Sequence, residues 1–151
     1  MEKKLIAVNR KARRDYEILE SLEAGLVLKG TEVKSLREGR MSLKDSYATV
    51  HDGEMYLLNA HISPYSHGNA FNHEPVRERK LLLHKAEIKR LTGKIEEKGL
   101  TLVPMRVYFL RGHAKVELAL ARGKRHHDKR ETIKRRDAER DIERELKRRQ
   151  Y

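Results

Sequence analysis

Apolar and polar positions alternate along much of the stretch from Tyr16 to Ala121, the period of half-buried β-strands. Tyr16, Ile18 and Leu22 recur in that phase, and Leu26-Val27-Leu28 follows Gly25, which predicts a bulge or bend in a long strand. Asp52-Gly53 is a two-residue hairpin turn joining Ser46–His51 to Glu54–Ile62, where Tyr56, Leu58, Ala60 and Ile62 alternate. A second hairpin is predicted around Gly112. Val103, Met105, Val107 and Phe109 alternate before it; Val116, Leu118 and Leu120 follow, with Lys115, Glu117 and Ala119 on the other face.

Two segments break into the helical period. Thr31–Arg37 lies between Gly30 and Gly39, with Val33, Leu36 and Arg37 at helical spacing and Thr31 as a candidate cap. The other runs from about Lys85 to Glu97. There Ile88, Leu91 and Ile95 share a side, Gly99 is the stop, and Gly93 is an internal cost. The prediction is a mainly β chain with short helices. Its closest architecture is an OB-like closed antiparallel β-barrel over residues 1–121. No internal repeat is visible.

Charge then divides the chain. The 151 residues carry 35 Lys+Arg against 23 Asp+Glu, net +12. Residues 1–120 hold 22 basic and 16 acidic side chains, and residues 121–151 hold 13 and 7, so the last fifth carries as much net charge as the rest. Its only large aliphatics are Ile133, Ile142 and Leu146. Three such side chains, at roughly 1.5–3 kcal/mol each when buried, cannot offset the entropy of ordering so long a segment. Residues 122–151 are therefore expected to be a basic tail, unpacked in the free protein. Glu131–Arg135, Glu143–Lys147 and Glu145–Arg149 are i,i+4 pairs in the order that favours a helix. A helix over 131–149 would extend about 28 Å. The tail reads either as a segment that becomes helical against an anionic surface or as a solvated solubility tail.

Much chemistry is excluded. Cysteine is absent, so there is no disulfide, thiolate nucleophile or Cys-type zinc site. No apolar run approaches the ~20 residues of a membrane span, and the apolar stretch Leu5–Val8 is too short for a secretory signal, so a soluble, cytoplasmic protein is expected. None of the eight histidines has zinc-type spacing with a carboxylate, and no metal or other cofactor is expected. Walker and G-x-S-x-G contexts are missing, and no nucleophile is nominated, so no enzyme is expected.

Basic and aromatic chemistry replaces catalysis. RNA binding uses cations for phosphates, flat rings for exposed bases, and carboxylate or amide acceptors for base edges and 2′-hydroxyls. Candidates are Asn9-Arg10-Lys11 with Arg13-Arg14, Lys34 with Arg37, and Arg77-Glu78-Arg79-Lys80, with Tyr16, Tyr47 and Tyr65 as stacking surfaces. Each competes with a plainer role: tyrosines are often core residues, and charge runs are often solvated faces.

Several separate strings, in order, carry a resemblance. They are Asn9-Arg10-Lys11-Ala12, Glu23-Ala24-Gly25, Gly30-Thr31-Glu32-Val33-Lys34-Ser35-Leu36-Arg37, Arg79-Lys80-Leu81-Leu82-Leu83, Ala121-Arg122-Gly123-Lys124 and Asp128-Lys129-Arg130. On these the chain resembles the bacterial SsrA-binding protein family from Asn9 to Arg130. The resemblance implies an OB-like barrel that binds the tRNA-like domain of transfer-messenger RNA. It also implies a C-terminal tail, disordered when free, that becomes helical in the vacant decoding centre and mRNA channel of a stalled ribosome. The process is trans-translation, with elongation factor Tu in the delivery complex.

Carried onto this sequence, the resemblance implies RNA contacts at Asn9, Tyr16, Glu23 and Leu82, with Lys34 and Arg37 near that surface; Arg10, Lys11, Arg79 and Lys80 join them as candidates on their charge. Glu23 would accept hydrogen bonds from base or sugar donors, or orient a neighbouring arginine; its competing role is structural. Leu82 would pack against RNA or belong to the core. In the tail the resemblance implies approach to small-subunit rRNA in the decoding region by Gly123, Lys124, Arg125, His127, Asp128, Lys129 and Arg130. Ile133 and Lys134 would begin the helix in the channel.

Overall fold

The computed structural model describes residues 3–66 and 72–124. In chain order the elements are β1 (Lys3–Val8), α1 (Arg10–Asp15), β2 (Tyr16–Leu26), α2 (Gly30–Arg37), β3 (Met41–Ser42) and β4 (Tyr47–His51). They continue as β5 (Glu54–Leu58), β6 (His61–Ile62), β7 (Arg79–Leu82), α3 (Lys85–Lys98), β8 (Thr101–Leu110) and β9 (His113–Gly123). The described chain is mainly β with short helices, as expected. Its main sheet has seven antiparallel strands in the order β1-β8-β4-β5-β7-β2-β9, and β9 also pairs with β8. The pairings from β8 through β4, β5, β7, β2 and β9 thus return to β8, while β1 lies along the C-terminal half of β8. The short pair β3–β6 stands apart.

Both expected hairpins form, and the backbone explains them. Asp52 and Gly53 have φ of 53° and 76°, and Arg111 and Gly112 have 54° and 80°. Two successive positive φ angles give the turn whose twist matches paired strands, and glycine takes that conformation without a Cβ penalty. α3 stops at Gly99, whose N–H donates to the Ile95 carbonyl. In α2, Thr31 is not the cap. Glu32 receives the Lys29 N–H at 2.7 Å, and the Thr31 hydroxyl lies 2.8 Å from His73 Nδ1.

Three bulges change which face each strand buries. β2 carries its extra residue at Leu19, not at Gly25, which stays in register with both Lys115 and Leu82. β8 carries one at Met105, and β1 one at Ile6. The bulge at Met105 splits the predicted alternation: Val107 faces the main core with Leu102, Val116, Leu118 and Leu120. Val103 and Met105 instead join Ala119, Ala121 and Ala12 in a second cluster under α1. One extra residue moves all later side chains to the opposite face. A similar correction applies to Glu54–Ile62. Met55 and Leu57 are buried, while Tyr56 and Leu58 are only partly so. Asn59, at φ 63°, ends the strand and resets the phase so that Ala60 and Ile62 are enclosed.

The sequence reading missed β1 and α1. Asn9 joins them and is 5% exposed. Its Oδ1 accepts the Ala12 N–H at 3.1 Å, capping α1, while its Nδ2 donates to the Pro104 carbonyl at 2.9 Å and the Leu43 carbonyl at 3.4 Å. Asn9→Ala removes the cap and two buried donor contacts. It should lower unfolding stability by about 2–3 kcal/mol in urea titrations; a loss below about 0.5 kcal/mol would show that water replaces those contacts at little cost.

Candidate nucleic-acid interface

Two clefts and one helix face collect the predicted side chains. The first cleft, about 260 Å³, is lined by Asn9, Lys11, Asp15, Tyr16, Asp45 and Tyr47 among others. Lys11 Nζ sits 3.3 Å from Asp45 Oδ1 at its rim. Tyr47 is exposed, and Tyr16 packs one face on the cluster under α1. Arg10 is exposed at the start of α1, and Arg13 and Arg14 occupy its last turn. β9 reaches this cleft too. Gly123 pairs with Tyr16, Arg122 Nη1 lies 3.2 Å from Glu17 Oε1, and the Lys124 N–H donates to the Asp15 carbonyl at 2.9 Å. Arg122, Gly123 and Lys124, expected in the tail, are therefore bonded to the folded unit: the first two pair with β2, and Lys124 bonds the end of α1.

The second cleft, about 440 Å³, is lined by Glu23, Leu82, Leu83, His84 and Glu87. Leu82 is 53% exposed at the end of β7, although its neighbour Leu81 is buried. Gly25 lies directly across from it, and a Cβ there would stand 3.4 Å from the Leu82 side chain. That is ordinary van der Waals contact, so an alanine would fit there and touch the Leu82 side chain. Glu23 is two residues away on the same outward face, and its Oε2 accepts the Tyr108 hydroxyl. Nearby, Glu20 receives Arg90 at 2.7 Å and Lys94 at 3.5 Å, which ties α3 to β2. The Arg90 hydrogen bond chiefly holds the Glu20 carboxyl below its usual range, against a desolvation that opposes it.

α2 turns Lys34 and Arg37 outward, opposite its buried Glu32, Ser35 and Leu36. Lys34 Nζ stands 5.5 Å from the Tyr65 ring centre, a cation–π contact. What lies beneath corrects the reading of the 77–80 cluster. Arg79 is 0% exposed and not available to a phosphate. Its Nε donates to Glu32 Oε2 at 2.8 Å, and its remaining nitrogens donate to the carbonyls of Ala60, Glu74, Pro75 and Arg77. Arg77 grips both Glu32 oxygens at 2.8 Å. Of that cluster's predicted contacts Lys80 remains half-buried at the surface, 3.5 Å from Glu54. Asn9 is corrected likewise: it is enclosed, and its side chain is used inside the fold. Tyr108 was missed among the tyrosines. Its phase, opposite to Val107 and Phe109, was the available signal.

Arg125, His127, Asp128, Lys129, Arg130, Ile133 and Lys134 lie outside the described residues. Among the described residues no cluster of three or more His, Asp or Glu side chains could hold a metal ion, and no helix is long and apolar enough to cross a membrane.

The family model for SmpB protein matches residues 6–148. The chain belongs to the SmpB family. Proteins called SsrA-binding protein resemble it along nearly their whole length. That of Desulforudis audaxviator is 64% identical over 141 residues, covering 93% of this chain and 92% of its own. That of Carboxydothermus hydrogenoformans is 61% identical over 144 residues, covering 95% and 97%. A solved SmpB-family chain, from work described as "tmRNA-SmpB: a journey to the center of the bacterial ribosome", superposes with a TM-score of 0.67 at 57% identity. The match covers 83% of this chain and 92% of that one. Of the strings quoted above, those within the described residues fall on the β1–α1 junction, β2, α2, β7 and the end of β9.

Proposed function

We propose that this chain binds the tRNA-like domain of transfer-messenger RNA and brings it to stalled ribosomes for trans-translation, as a binding factor rather than an enzyme, in the cytoplasm. The observation that carries this reading is the 57% identity to a chain solved in a tmRNA–SmpB context, over 92% of that chain. The ring of strands is read as an OB-like barrel. Glu23 and Leu82 form its RNA contact: an apolar surface beside a carboxylate suits an unpaired base, which offers a face to pack and N–H donors to bond. Lys34, Arg37 and Lys80 meet phosphates. Arg10, Lys11 and Tyr16, around the first cleft, make a further RNA contact. Asn9 and Arg79 act indirectly, by fixing α1 and α2.

Residues 125–151, with Gly123 and Lys124 as their anchor, are proposed to enter the decoding centre and mRNA channel. Elongation factor Tu is proposed to travel with the complex.

Glu23→Ala should weaken transfer-messenger RNA binding by about tenfold or more, the worth of hydrogen bonds to a charged group. Leu82→Ala should cost about three- to tenfold through lost packing. Filter-binding titrations measure both; thermal melts should show little change for the exposed Leu82 and only a small loss for Glu23→Ala, which also removes the acceptor of the Tyr108 hydroxyl. Wild-type affinity in both variants would remove the second cleft from the RNA interface.

A further inference from the structure

One enclosed tyrosine hydroxyl bonds a carboxylate that lines the second cleft. Tyr108 is 2% exposed on β8, in the phase opposite to Val107. Its cross-strand neighbours are Leu5 on β1 and Lys115 on β9, and Lys3 Nζ lies 4.6 Å from its ring centre. Enclosed on these sides, the ring has one polar outlet, the hydrogen bond to Glu23 Oε2. Burial first, and then the bond to Glu23 and its charge, push the Tyr108 pKa far above the usual tyrosine range. Near neutral pH the phenol therefore keeps its proton and donates to Glu23.

Glu23 has few other restraints. It faces Glu117 directly across β9, a like charge, and Glu117 is taken up by Arg106 at 2.8 Å. Among the described residues no cation pairs with Glu23. An exposed glutamate on a strand samples several rotamers, and a ligand must select one at an entropic cost. A donor fixed by a packed ring removes that cost beforehand.

We propose that Tyr108 is a positioning residue for RNA recognition: its hydroxyl holds Glu23 Oε2 and leaves Oε1 directed into the cleft beside Leu82, to accept hydrogen bonds from base or ribose donors. This rests on the reading of Glu23 as an RNA contact. Tyr108→Phe keeps the ring, its packing and the Lys3 contact, and removes only the hydroxyl.

The test is a double-mutant cycle with full-length transfer-messenger RNA as probe, comparing wild type, Tyr108→Phe, Glu23→Ala and the double variant. Tyr108→Phe should bind about three- to tenfold more weakly, the effect of one side chain left to be ordered on binding. That loss should vanish in the Glu23→Ala background. Wild-type affinity in Tyr108→Phe, or a loss that persists undiminished without Glu23, would overturn the proposal; the second outcome would make Tyr108 merely structural. If Glu23→Ala itself bound as wild type, the reading of Glu23 as an RNA contact would fall, and the inference with it.

Discussion

A chain ending at Lys124 should bind transfer-messenger RNA nearly as well as the full chain yet fail to support tagging of stalled peptides. Residues 125–151 hold 11 basic and 7 acidic side chains. Removing that modest net charge should reduce RNA affinity by about threefold, through lost counterion release. The cut is placed after Lys124 because its N–H still bonds Asp15 and Gly123 still pairs with Tyr16. A cut after Arg122 would fray β9 and confuse lost folding with lost function. Filter binding and a reconstituted tagging reaction on ribosomes stalled without a stop codon measure the two arms. Normal tagging by the shortened chain would end the proposed division of labour between a folded RNA-binding unit and a ribosome-entering tail. A large loss of RNA affinity would end it from the other side.

Glu32→Ala should be the most destabilising single change in the folded part. Glu32 and Arg79 are both 0% exposed, and Arg77 closes the carboxylate from outside. Deleting the anion leaves an enclosed guanidinium without a counter-charge, which costs about 3–5 kcal/mol. Replacing the pair by apolar residues would not rescue it, because Arg79 also serves the carbonyls of Ala60, Glu74, Pro75 and Arg77. Those carbonyls would lose that donor, and only Glu74 and Pro75 also accept a backbone N–H, from Arg77 and Ile62. Urea unfolding measures the loss, and a value below about 1 kcal/mol would reduce the cluster to an ordinary surface pair. RNA binding by the variant should fall too, since the same contacts hold α2, and with it Lys34 and Arg37.

The same cluster sets a pH dependence. Burial pushes the Glu32 carboxyl up, but the Arg77 hydrogen bond, the Lys29 N–H and the Arg79 charge together bring it below its usual 4.5. A carboxyl with a depressed folded-state pKa contributes stability that is complete above its unfolded value. That contribution is lost as pH falls through the folded one. Stability at fixed urea should therefore be flat near neutrality and drop once pH passes below about 4.5. Glu32→Ala should lack this part of the drop.

Strand period, the turn pairs at Asp52-Gly53 and Gly112, and the α3 stop at Gly99 depend on neighbours within a few residues, and all were legible in the chain. So was the family, since its motifs are strings of adjacent residues. Legibility fell where a side chain's partner is distant in sequence. Glu32 and Arg79 look like a helix charge and part of a basic run, and only the folding that brings α2 beside the start of β7 makes them an enclosed pair 47 residues apart. Tyr108 and Glu23 meet across 85 residues because β9 bridges their strands.

The sequence by itself determined a mainly β chain, where most of its turns lie, the charge imbalance between its two parts, and the kinship of its motifs. Tertiary structure decided which faces became core, since single extra residues at Leu19 and Met105 invert everything after them. It also decided which cations stay exposed and which, like Arg79, are enclosed. Periodicity is a property of a segment, whereas burial and pairing depend on what another segment brings alongside it.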